Sequence, residues 1–153
     1  MNYLRTLIKW INPRKEIEMK LLFRMSRDGG DTSTFHKLCD NKGPTLTLFK
    51  IEDGDIIGIY TPLEWDCSES GKYDIDTFIF NLNKNKKYKK IEKNCSAYCS
   101  RGYGPCVGNF GCKGKRIEQC CSLNGQFDNG DDILSNSQFK YFNLQDYEVF
   151  SVC

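Results

Sequence analysis

The chain has 153 residues, 39% of them hydrophobic and 13% aromatic, with a formal net charge of +2. That length supports one domain with a real core, and that aromatic content argues against a disordered chain. So small a net charge gives no global case for nucleic acid or an anionic membrane as partner.

Nine cysteines is a high count. A secreted disulfide scaffold normally brings a leader and an even number of cysteines. The opening stretch MNYLRTLIKWINPRKEIEMK has no apolar run long enough for a leader or a membrane span. The expectation is a reduced, cytoplasmic protein with mostly free thiols and no transmembrane segment.

Leu4, Leu7, Ile8 and Ile11 recur at i, i+3, i+4 and i+7. They predict an amphipathic helix within residues 1–13, opened by Asn2 and stopped by Asn12-Pro13. That helix either docks on the domain's own core or offers a face to a partner or a membrane surface. Residues 14–153 read as one domain. Ile17, Met19, Leu21, Phe23 and Met25 alternate with mostly polar residues, which predicts a strand with one buried face. The glycines of SRDGGD end it. DTSTFHKLC then reads as a short helix capped by Asp31 or Thr32, with His36 at the edge of a face made by Phe35, Leu38 and Cys39. DNKGP breaks this helix. TLTLFKI and IIGIY follow as strands around the loop EDGD, a hairpin signal. Residues 61–76 read as a long surface loop around Trp65, and TFIFNL as another strand.

NKNKKYKK concentrates Lys84, Lys86, Lys87, Lys89 and Lys90. It reads as a solvated turn that guards a sheet edge, or as a patch facing phosphate or lipid. Without an aromatic platform beyond Tyr88 it does not point to nucleic acid. Residues 95–121 mix six cysteines with five glycines and read as glycine-rich loops. FNLQDYEVFSV closes the chain as a strand, with Glu148 on the parity of Phe150 and Val152. The fold class is α+β, mainly β: two antiparallel sheets forming a sandwich with short peripheral helices.

No constellation carries specific chemistry. The cysteine spacings lack the close pairs that a tetrahedral zinc site uses, so no metal is expected. His36 with Cys39 has the residue types of a nucleophile and its base, but on one short helix beside Phe35 they read as packing. Asp53 with Asp55, Asp74 with Asp76 and Asp131 with Asp132 read as turn formers. Cys112, beside Lys113, Lys115 and Arg116, is the best candidate for a reactive thiol. No cofactor motif is present.

LLFRMSRDG followed by FHKLCDNKGPTLTLFK, with GIYTPLEW, FIFNL, YGP at 103–105 and YEVFSV, resembles the TLDc domain family over residues 19–152. The match is specific over residues 21–82. The chain departs at Val107, where the family has phenylalanine, and at GCKGKRIEQCC, where it has an acidic strand. The resemblance implies the same β-sandwich. It also implies a non-catalytic protein-interaction domain, acting on the vacuolar proton-pumping ATPase or in oxidative-stress resistance. The alternative is a thiol-dependent antioxidant. On this reading Arg27, Asp28, His36, Cys39, Asp40, Gly43, Pro44 and Glu148 are structural motif residues. Trp65, Lys84, Lys86 and Lys87 are the candidate interaction surface.

Overall fold

A computed structural model of the chain describes residues 3–91, 97–119, 123, 126–134 and 141–153. Helix α1 (Tyr3–Ile11) leads into strand β1 (Met19–Arg24), a one-turn helix α2 (Met25–Asp28) and helix α3 (Thr32–Cys39). Then come β2 (Thr45–Ile51), β3 (Ile56–Thr61), β4 (Ser70–Lys72), β5 (Phe78–Asn81) and β6 (Lys86–Lys89). Short strands follow: β7 (Ala97–Cys99), β8 (Cys106–Val107), β9 (Phe110–Lys113) and β10 (Arg116–Gln119). A 3-10 turn (Gly130–Ile133) precedes β11 (Tyr141–Val152).

Among the described residues all strand pairs are antiparallel. The domain is mainly β, with short helices at its periphery, as the sequence predicts. Among the described residues nine strands form one large sheet, eight in the order β6-β5-β3-β2-β11-β10-β9-β8 with β1 branching off β11, and β4 with β7 forms a small second sheet. β11 is the pivot. One edge pairs with β2; the other pairs with β10 near Tyr141–Asn143 and with β1 near Glu148–Val152.

The sheet folds back through this pivot. Phe110 of β9 stands edge-on to Phe49 of β2 with ring centroids 6.3 Å apart. In a flat sheet, three strand spacings would separate them by about 14 Å. The space so enclosed is the main core, filled by Phe23, Phe49, Ile57, Phe110, Tyr147 and Val149 among others. The opposite face of β2, β3 and β5 carries Leu46, Phe78 and Phe80, and α1 covers it with Leu7, Tyr3, Trp10 and Ile11. Of the two roles open to this helix, the structure shows the first. Its buried stripe is rotated from the predicted one: Leu7 is buried but Leu4 is 54% exposed.

β1 departs from simple alternation. A bulge at Leu22 shifts the register between Leu21 and Phe23. Met19 therefore packs with α1 on the outer face, while Phe23 enters the main core. One extra residue moves every later side chain to the other face.

Candidate functional site

The sequence cluster Phe35–Asp40 forms the joint between α3, β2 and two loops. Phe35 and Cys39 are fully buried, and His36 is 7% exposed. Three oxygens face the two ring nitrogens of His36. Nε2 donates to the carbonyls of Ser100 and Tyr103 at 2.7 and 2.8 Å, and Nδ1 lies 2.7 Å from Asp40 Oδ1. All three are acceptors, so a second proton lies between Nδ1 and Asp40. The ring thereby ties α3 to the loop at 100–103. Trp65 closes the other side. Its Nε1 donates to Thr45 Oγ1 at 2.8 Å, and its carbonyl accepts from Asn41 N at 2.9 Å. Between them Asn41 and Gly43 turn the chain with positive φ, 57° and 73°. The carbonyl of Pro44 accepts from Val152 N at 3.0 Å.

Could this joint hold a metal? Among the described residues, His36, Asp40 and Cys67 present ligand atoms within 4.8 Å of one another. However, two ligands of one tetrahedral zinc ion stand about 3.3 Å apart, given bonds near 2.0–2.1 Å. The 2.7 Å between Nδ1 and Oδ1 is a hydrogen-bond length instead. The Cys67 thiol donates to the other Asp40 oxygen at 3.5 Å.

The remaining motif residues also make fold contacts. Arg27 bonds both oxygens of Asp28 at 2.9 and 2.8 Å, and Asp28 accepts Arg24 N at 2.9 Å. The Arg27 contact, then the amide, hold the Asp28 carboxyl below its usual range. Glu148 lies opposite Arg24 in the β1–β11 ladder and pairs with it at 2.8 Å. The paired carboxylates act as turn formers where the structure describes them: Asp53 accepts Asp55 N at 2.9 Å, and Asp74 accepts Asp76 N at 2.6 Å.

The candidate interaction residues are differently placed. Trp65 is 1% exposed, so it is not a surface residue; its indole fills the core beside Phe35, 6.1 Å away. The lysine-rich segment is not all turn, because it contains edge strand β6. Lys84 and Lys86 converge on Asp132, which also accepts the Tyr88 hydroxyl at 3.0 Å. Lys86, Tyr88 and Lys84 lower the Asp132 carboxyl from 3.8 to about 2. Lys87 donates to the Trp10 carbonyl of α1 at 3.0 Å and sits 4.4 Å from the Phe78 ring centre. Asp132 is the organising residue here, and its sequence signal was only that of a turn.

The buried thiols are likewise placed against reactivity. Cys112, the candidate, is fully buried in β9 and donates to the Gly114 carbonyl at 3.3 Å. Burial pushes Cys39 up to about 12 and also raises Cys99. Cys67 is exposed, and desolvation together with the Asp40 carboxylate raises it too. Six described cysteines are free thiols. Cys95, Cys120 and Cys121 lie outside the described residues.

Fold and joint together define a mainly antiparallel β domain with short peripheral helices. The chain belongs to the TLDc domain family: the family model matches residues 1–153, helix α1 included. No curated protein matches it. None of its described helices is long and apolar enough to cross a membrane.

Proposed function

We propose that the chain is a non-catalytic protein-interaction domain of the cytoplasm that regulates the vacuolar proton-pumping ATPase or acts in resistance to oxidative stress. Family membership supports this reading. The observation that carries it is the placement of His36, Cys39 and Asp40. The one histidine of the chain is buried between three protein oxygens, and the neighbouring thiol is buried and held protonated. A thiolate is the nucleophile in cysteine chemistry, so this arrangement favours packing over catalysis.

The test adds purified domain to vacuolar membranes and follows pump ATPase activity together with release of the catalytic sector. A dose-dependent change in both is expected. No change with folded protein would overturn the reading. The thiol-antioxidant alternative rests on Cys67 and Cys153, the exposed thiols among the described residues. It requires peroxide consumption faster than free cysteine in a stopped-flow assay.

A further inference from the structure

The basic segment around Cys112, read in the sequence only as the neighbourhood of a thiol, builds a cavity of its own. Its volume is about 460 Å³, and Gly30, Asp31, Thr32, Lys113, Lys115 and Arg116 are among the residues that line it. Three cations face one carboxylate there. Lys84 and Lys86 are held by Asp132, but neither Lys113 nor Lys115 has an ion-pair partner among the described residues. Arg116 completes the rim and has its own partner within the protein.

The two lysines are held in position. In the register of β9 with β10, Lys113 faces Arg116, so the hairpin loop is only Gly114-Lys115. Gly114 takes φ +63° while Lys115 stays at negative φ, the pattern of a type II′ turn. The Lys115 carbonyl accepts Leu144 N at 2.9 Å, which fixes the turn to β11. The Lys115 stem then lies across Gly30, so closely that a Cβ there would meet its Cγ at 2.5 Å and its Cε at 2.7 Å. The Lys113 ammonium sits 5.4 Å from the ring centre of Tyr103. Opposite the turn is the start of α3. Asp31 makes no side-chain cap there. Among the described residues, the amides of Thr32 and Ser33 have no acceptor.

We infer that this cavity binds a phosphoryl group carrying two negative charges. Three cations against the one carboxylate leave a formal +2 that matches that charge, and a phosphoryl group offers several acceptor oxygens to donors arriving from the turn, from the Thr32 hydroxyl and from the α3 amides. A single carboxylate would leave most of those donors unmet. The inference does not depend on the pump reading, and its test involves no pump.

The full chain is titrated with inorganic pyrophosphate by calorimetry at fixed ionic strength. A parallel arm measures cosedimentation with phosphatidylcholine vesicles containing phosphatidic acid, whose headgroup is a phosphomonoester. Saturable binding in either arm is expected, weakened at least tenfold in K113A/K115A. In K84A/K86A, which removes the same formal charge from a pair held by Asp132 away from the cavity, binding stays within twofold of wild type. G30A weakens it too, because the added Cβ displaces the Lys115 stem while the fold holds. Binding of pyrophosphate alone assigns a soluble phosphate ligand; vesicle binding that pyrophosphate displaces assigns a lipid headgroup. No saturable binding in either arm, or equal loss in the two double variants, would overturn the inference.

Discussion

Replacing His36 by alanine tests whether the signature histidine is a structural tie. The variant removes the contacts of a ring 7% exposed: one N–H shared by the Ser100 and Tyr103 carbonyls, and the short bond to Asp40. A hydrogen bond to a charged group contributes about 1.5–3 kcal/mol, and a buried acceptor left without its donor costs about 1–3 kcal/mol. The shared N–H counts once. Loss of the edge contact with Phe35, 4.9 Å away, leaves a cavity as well. The expected destabilisation is therefore about 3–5 kcal/mol, a large share of the ~5–15 kcal/mol that holds a domain together. Asp40→Asn should cost only about 1 kcal/mol, because its amide can donate to a neutral Nδ1. Urea unfolding of H36A, D40N and the double variant measures both terms and their coupling. A loss under about 1 kcal/mol for H36A would refute the tie, since no buried hydrogen-bonded ring is removed so cheaply.

Glycine substitutions at two close approaches should behave oppositely. In G58A the new Cβ meets Thr47 O at 2.2 Å and Phe80 Cζ at 2.3 Å, so a loss above about 3 kcal/mol in urea is expected. In G30A its nearest contacts are with the flexible Lys115 stem, and the midpoint should stay nearer wild type than in G58A; equal losses would contradict this account of the contacts. Asp132 titrates near 2 in the fold against 3.8 ordinarily, so its stabilisation is present above pH 3.8 and is lost as pH falls from 3.8 toward 2. Its side chain is 41% exposed, so the amplitude is under about 1 kcal/mol, and D132N should abolish that part of the acid limb. Site-resolved alkylation of native protein should modify Cys67 and Cys153 first and leave Cys39, Cys99, Cys106 and Cys112 protected until unfolding; Cys112 reacting as fast as Cys67 would contradict its burial.

Apolar-rich runs bounded by turn residues made β2, β3, β5 and α3 legible. Periodicity failed where a local event breaks the period. The bulge at Leu22 flips the parity of β1 without altering composition. β6 hides within a lysine run because an edge strand needs only one buried residue, here Tyr88, 2% exposed. Trp65 stands in a polar sequence and looks exposed. Its burial follows from hydrogen bonds to Thr45 and Asn41, which become neighbours only after α3 and β2 have packed. The segment read as glycine-rich loops contains four short strands, each below the length at which alternation can be counted. The phosphate cavity needed Gly30 and Lys115 together, 85 positions apart, and no local pattern reports that distance.

The placement of β11 has a consequence during synthesis. β2 can pair with β3 as soon as both emerge, but its other edge waits for a strand that begins 90 residues after Ile51, at Tyr141. At about 5–20 residues per second, that edge stays open for roughly 5–20 s on the ribosome. The exposed segment is Thr-Leu-Thr-Leu-Phe, apolar at alternate positions and free of charge. An unpaired strand of that kind is a template for pairing with other chains. The nascent protein therefore passes through a period of aggregation risk that ends only when the pivot strand arrives.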